Sequence, residues 1–408
     1  SPRDSIHLTV VGSLTVQPGC EVDITGGSVD GTVMAQTGAV FTASSTLDLL
    51  VLDKGEPVED ALISIEGDVA MTDADGRLST ETESLRVTDT GQTWGGIKTV
   101  TLQRNNFSDF VTWDTNRSLT HTFMASTVPS GEVSGWVVLE RQWSPYTLDA
   151  PLVLQSASTM SIQDGVSLRA SEGVTITVNG VFDAGAATIS STGYGARWGG
   201  LMLGPSVAAS IELSGTQLLE SAPALTVSGL GSVRADGVFM ARSSSDPLVL
   251  VESGNAAELV VRNSHLQNGS GCAHLYPSSA TIEFTNVSFA DCEEQGVWAQ
   301  QVPVEFNDLT FGAGMDWGME LTGVSGTVNG VNATQYDGEG AIVALNSQPS
   351  GFTLTDVVGR VTGQAGVAGE NNLDITLERI DLEGAPGIDV DRTSGTFSDI
   401  TLRGDGTG

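Results

Sequence analysis

Nine segments of this 408-residue chain repeat one short pattern, and the repetition restricts the fold more than any single residue does. The segments are IELSGTQL, VRADGVFM, LVVRNSHL, IEFTNVSF, VEFNDLTF, GTVNGVNA, FTLTDVVG, ITLERIDL and GTFSDITL. Their fifth residues are Gly215, Gly237, Asn263, Asn286, Asp308, Gly330, Asp356, Arg379 and Asp399, in steps of 22, 26, 23, 22, 22, 26, 23 and 20. Two positions earlier stand Leu213, Ala235, Val261, Phe284, Phe306, Val328, Leu354, Leu377 and Phe397, all apolar. Four positions earlier stand Ile211, Val233, Leu259, Ile282, Val304, Gly326, Phe352, Ile375 and Gly395. Alternation with period two marks a strand with one buried face.

The fifth column is Asn, Asp or Gly in all but Arg379, residue types that tolerate the left-handed conformation of a sharp bend. Three positions on, Leu218, Met240, Leu266, Phe289, Phe311, Leu382 and Leu402 return to apolar character. A further strand follows about eleven residues after the bend, as in Leu248/Leu250, Val297/Ala299, Met319/Leu321 and Ile388/Val390. One such coil cannot bury its apolar face alone, but a stack of them can. The period is too short for propeller blades, the leucine-rich pattern is missing and helix-forming segments are nearly absent. The expected fold is therefore all-β: a parallel solenoid of about 23 residues per coil.

Upstream, MSIQDGVSLRASEGVTITVNGVFDAGAATISSTGYGARWGGLMLG carries the same grammar. With Gly180, Gly185 and Arg197-Trp198-Gly199-Gly200-Leu201 it resembles right-handed parallel β-helix proteins of the pectate-lyase-like superfamily. LTVVGSLTVQPGCEVDITGG near the start has similar spacing. Between them, Gly55-x-Pro57-Val58-x-x-Ala61 and Thr72-Asp73-x-Asp75-Gly76-Arg77 resemble a carboxypeptidase-regulatory-like (transthyretin-like) β-sandwich, a module used as a spacer or interaction surface. The expected division is residues 1–45 as first coils, 46–128 as the inserted sandwich and 129–408 as the main β-helix.

The resemblance implies a fold more than an activity. The enzymes that the resemblance brings in are mostly polysaccharide lyases, hydrolases and epimerases: lyases of the pectate type with a calcium-binding carboxylate cluster and an Arg or Lys base, and hydrolases of the polygalacturonase type with NTD, DD, GHG and RIK motifs. None of these motifs occurs here. The preferred reading is a non-catalytic adhesion, scaffold or glycan-contact protein, with a polysaccharide lyase or glycoside hydrolase as the alternative. Fifty acidic against 17 basic residues, a net charge of −33, disfavour nucleic acid and anionic lipid as partners. No apolar run reaches the roughly 20 residues of a membrane helix. Only Lys54 and Lys98 are lysines, a bias that fits either a salty habitat or an acidic secreted protein.

Carbohydrate-contact candidates are Trp298 and Trp317, near the second strand of consecutive coils, and Asp389-x-Asp391-Arg392, two carboxylates on one strand face beside an arginine. The latter is also the place for a calcium ion, if any; no cofactor is otherwise expected. Ordinary packing competes for the tryptophans, with Trp198 read as corner packing, and a solvated strand end competes for the carboxylates. Asp73-x-Asp75-Gly76 reads as a hairpin turn, since the later ligands of a calcium loop do not follow. His7, His121, His265 and His274 lack zinc-ligand spacing with the cysteines. Cys272 and Cys292, in loops of neighbouring coils, are predicted to come within disulfide reach, leaving Cys20 free. Sequons begin at Asn106, Asn116, Asn268, Asn286 and Asn332 and point weakly to secretion or cell-surface display. Arg403-Gly404-Asp405 is assigned no role. Because the last coil stops at Gly408, short of a full turn, end-to-end self-association is expected alongside contacts to polysaccharide or other surface proteins.

Overall fold

The computed structural model describes residues 9–10, 12–25, 28–29, 31–104, 107–124, 126–193, 195–243, 246–362, 365–384 and 386–404. His7, the Asn106 sequon position and Asp405 lie outside the described residues. The chain divides into two compact units, Ser1–Thr127 and Val128–Gly408.

The second unit is a parallel β-solenoid. Each coil contributes to two sheets. The long sheet runs from Trp136–Leu139 to Gly395–Arg403, and the second sheet, of 12 strands, runs from Gly131–Val133 to Ile388–Asp391. The register follows the repeat read from sequence: Phe284 faces Phe306, then Val328, Leu354, Leu377 and Phe397 in successive coils. Apart from Phe397, that column is buried and feeds one continuous core. Phe284 stacks on Phe306 at 5.1 Å and Phe289 on Phe311 at 5.2 Å between ring centroids, so the aromatic repeats become ladders inside the core.

All nine bend residues have positive φ, from 49° at Asn263 to 75° at Gly330, and Arg379 adopts 55° despite its side chain. The conformation has a purpose beyond turning the chain. It keeps each N–H pointing along the stack: Gly215, Gly237 and Asn263 donate to the carbonyls of Asp236, Arg262 and Thr285 in the next coil. Side chains repeat the motif, with Asn263 Nδ2 donating to Asp236 Oδ1 at 2.7 Å and Asn286 Nδ2 to Asn263 Oδ1 at 2.9 Å. Arg379 grips Asp356 with two bonds of 2.6 and 2.7 Å, which holds that carboxyl below its ordinary range.

Two further left-handed columns were not anticipated. Glu220, Arg242, Asn268, Asp291 and Gly314 turn the chain out of the long sheet, and Gln301, Gly323, Ser347, Asn371 and Arg392 turn it out of the second sheet. Their N–H groups bond the next coil in the same manner, as Glu220 does to Ala241 and Gln301 to Thr322. Buried amides finish the last corner: Asn255 donates to Val227 O, Gln348 to Leu321 O and Asn372 to Leu345 O. At Val227 the amide is a second donor, since the Glu252 N–H of the next coil already bonds that carbonyl at 3.0 Å.

One strand register differs from the reading of the sequence. Val249 and Val251, not Leu248 and Leu250, align with Val297 and Ala299 through Ala273 and Leu275. Leu248–Val251 is apolar throughout, so no alternation fixes which face turns inward.

In the first unit, Ser13–Val16 pairs in parallel with Thr32–Ala35, and Glu21–Thr25 with the start of Val40–Asp53. Antiparallel pairing follows. Arg77–Thr88 lies along Val40–Asp53, and Leu62–Ile65 pairs with Asp68–Met71 and Ile97–Arg104. Leu47, Leu49, Val51, Ile63, Val100 and Leu102 of these strands form a core with Trp113 and Phe123 from the strands Phe107–Asp114 and Leu119–Met124. Thr72 Oγ1 donates to Val58 O at 2.6 Å and accepts from Ala61 N at 2.9 Å, drawing two of the motif segments together. Asp73 Oδ1 accepts from the N–H groups of Asp75 and Arg77, which makes this segment a turn around Gly76 at φ 70°.

Candidate functional site

The second sheet turns alternate residues outward, and parallel register lines them up along the stack. One outward column reads Thr226, Leu250, His274, Trp298, Glu320, Ala344, Ala368 and Asp389. Apolar and aromatic character concentrates in its middle, at Leu250, His274 and Trp298. Tyr276, two residues after His274, packs edge-on against the Trp298 indole with ring centroids 5.0 Å apart. The His274 ring tilts against the same indole at 5.8 Å. Asp246, Pro247, Leu250, Glu252, Ser253, His274 and Tyr276 line an open cleft of roughly 440 Å³ on this face.

Burial pushes the His274 imidazole below its ordinary range, against the opposing pull of the Glu294 carboxylate and a hydrogen bond with Gln295. Its Nε2 is buried without a hydrogen-bond partner among the described residues. That nitrogen lies against Gly271, where a Cβ would collide with it, so glycine is required there for the ring to fit. At neutral pH the cleft therefore presents an uncharged imidazole, the Tyr276 ring and the carboxylates of Asp246 and Glu252, with the Trp298 indole beside it.

The two tryptophans singled out from sequence do not share a column. Trp298 stands opposite Glu320, whereas Trp317 stands opposite Gln295. Trp317 lies over Gly340 of the next coil, whose missing side chain makes room for the indole. Trp198 is fully buried and donates its indole N–H to Leu219 O at 2.9 Å. Asp389 ends the same outward column as Trp298, four coils away. Arg392 bonds Asp391 at 2.9 Å and also pairs with Glu370, so the nearby carboxylates already have a counter-charge. No group of three or more His, Cys, Asp or Glu side chains suited to a metal ion occurs among the described residues. Cys272 and Cys292 form a disulfide with Cα atoms 5.5 Å apart, and Cys20 is free and exposed. His265 bonds Ser288 and Gln267 and stacks on Phe239.

Sequence reasoning missed Leu250 and Tyr276 as partners of Trp298, and weighed His274 only as a zinc ligand. The signal was the register error already noted: once Val249 aligns with Val297, Leu250, His274 and Trp298 fall on one line.

The architecture places the chain among parallel β-solenoid proteins. No family model matches it, and no curated protein matches it by sequence. Two solved structures show a distant similarity. The periplasmic alginate epimerase AlgG is 12% identical, with 66% of this chain and 84% of that chain covered and a TM-score of 0.33. The surface protein and adhesin PfbA of Streptococcus pneumoniae is 12% identical, with 69% and 90% covered and a TM-score of 0.23. No helix among the described residues is long and apolar enough to cross a membrane.

Proposed function

We propose that this chain is a non-catalytic, secreted or cell-surface contact protein whose solenoid presents the Leu250–His274–Trp298 strip to uncharged sugar rings. The carrying observation is the pairing of Tyr276 and Trp298 on the outer face, beside carboxylates and a neutral imidazole. Flat aromatic faces pack on the C–H face of a pyranose, and the carboxylates of Asp246 and Glu252 accept hydrogen bonds from its hydroxyls. A polyuronate would meet only like charge, since neither lysine nor arginine is among the described residues lining the cleft. The same absence weighs against lyase chemistry, which must neutralise a uronate carboxylate before a proton leaves the neighbouring carbon. The disulfide supports an oxidising location. Residues 46–128 are read as a carboxypeptidase-regulatory-like spacer, on the motif residues and the core around them.

Affinity electrophoresis through gels containing neutral glucans, galactans or xylans, against polygalacturonate and alginate, tests this reading. Retardation by at least one neutral polysaccharide is expected, weakened at least tenfold in both Trp298→Ala and Tyr276→Ala. Release of reducing ends or unsaturated uronate from any polymer would overturn the non-catalytic reading. Retardation unchanged in both variants would overturn the site.

A further inference from the structure

A second concavity, of roughly 360 Å³, lies where the coils leave the long sheet and is lined by Arg197, Arg242, Ser243, Asn268, Asp291 and Glu293. Its charges are ordered along the stack. Arg242, Asn268 and Asp291 occupy the same left-handed corner in three successive coils: Arg242 N–H donates to Gln267 O and Asn268 N–H to Ala290 O. With coils about 4.8 Å apart, the backbone of Asp291 lies about 10 Å along the stack from that of Arg242. Arg197 adds a second guanidinium from an earlier coil, and Glu293 a second carboxylate beside Asp291. The trough is thus basic toward one end and acidic toward the other.

The basic end is unfinished. Arg197 Nε is buried with no hydrogen-bond partner among the described residues, and its Nη1 reaches the carbonyl of Ala196 at 3.1 Å. Six other arginines of the solenoid, Arg234, Arg242, Arg262, Arg379, Arg392 and Arg403, each hold a carboxylate, Arg242 that of Glu220 at 3.3 Å. The unsatisfied donor of the basic end is therefore that of Arg197, and an anion there would share Arg242 with Glu220. A buried guanidinium N–H without an acceptor is costly to keep, and an oxyanion would satisfy it. In a chain of net charge −33 the acidic end, for its part, attracts cations.

We infer that this trough binds a zwitterionic ligand, its anionic group on Arg197 and Arg242 and its ammonium group toward Asp291 and Glu293. An anion alone would leave the acidic wall unpaired and be repelled by it, and a cation alone would leave Arg197 Nε unsatisfied. Neither one-charge ligand accounts for the whole lining. The proposal is independent of the sugar-contact strip on the second sheet.

Isothermal titration calorimetry of the full chain at low salt would use 8-aminooctanoate, octanoate and octylamine below its micellar range. 8-Aminooctanoate should bind at least tenfold more tightly than either singly charged analogue. Arg242→Gln alters a mostly exposed side chain and should weaken 8-aminooctanoate at least fivefold, while octylamine binding, beside the Glu220 carboxylate that the change releases, should not weaken. Arg197→Gln should do the same, and a melting curve will show whether the fold survives. If it does not, the ligand comparison and Arg242→Gln decide. The Asp291→Asn/Glu293→Gln double variant should abolish the preference for 8-aminooctanoate over octanoate. Equal binding of 8-aminooctanoate and either analogue, or no binding of 8-aminooctanoate, would overturn the inference.

Discussion

Truncating Phe306 probes the solenoid where its packing is most constrained. The ring is fully buried, stacked on Phe284 at 5.1 Å and facing Val328 in the coil beyond. Phe306→Ala removes the transfer energy of the ring and leaves a cavity between coils whose spacing is fixed by hydrogen-bond ladders on both sides. Collapse into that cavity is therefore limited, and the cost should approach the upper part of the ~3–5 kcal/mol range for Phe→Ala. The lost ring pair is part of that figure, at about 0.5–1.5 kcal/mol. The same substitution at Phe397, the last member of the column and 41% exposed, opens no enclosed cavity. It should cost roughly 1–2 kcal/mol, from partial burial alone. Long stacks need not unfold in one step, so a single melting temperature is a blunt readout. Native-state hydrogen exchange at Val304–Phe311 and at Gly395–Leu402 reads each coil separately. Equal losses of protection for Phe306→Ala and Phe397→Ala, each in its own coil, would refute the idea that burial along this column sets the energetics.

Thiol titration of denatured, unreduced protein should find one reactive group, Cys20, and the Cys272–Cys292 bond should contribute about 3 kcal/mol for its short loop. His274 has a folded pKa below its unfolded value near ~6.5, so the unfolded chain binds more protons as pH falls beneath that value. Stability should therefore drop below about pH 6.5 by an amount that His274→Gln removes; paired urea melts from pH 7.5 to 5 with a constant difference would contradict this. The melting temperature should rise between 0.1 and 1 M KCl as screening shortens from about 10 to 3 Å, and a flat profile would argue that self-repulsion is unimportant.

The solenoid was legible because its strongest signal, apolar alternation closed by a left-handed residue, recurs at a nearly fixed step. Phe284, Phe306 and Leu354 announce one face of one sheet. The other two corners were not legible in the same way. Glu220 and Arg242, or Gln301, Ser347 and Arg392, are not types that advertise positive φ, and they adopt it because the ladder beside them demands it. Tertiary context overrode local preference there. The candidate site was half visible for a related reason. Trp298 stood out by its size, but its neighbours on the face are fixed by inter-coil register, and an unbroken apolar run at Leu248–Val251 hides a slip of one residue. The Arg197–Glu293 trough was invisible, since it joins residues from separate coils whose relation exists only after stacking.

The bond between Cys272 and Cys292 also bears on how the molecule would yield to force. A solenoid pulled by its two ends can peel from either one, each coil releasing its length of chain as its ladder breaks. Peeling that reaches this bond can separate the two cysteines no further, and the 20-residue step between them stays out of the extended contour. At roughly 3.3–3.6 Å per extended residue, about 65–70 Å of chain is withheld until the sulfurs are reduced. In a stretching experiment, reductant should lengthen the fully extended molecule by that amount. The disulfide thus sets a limit on the reach of the chain under load, quite apart from what it adds to the fold at rest.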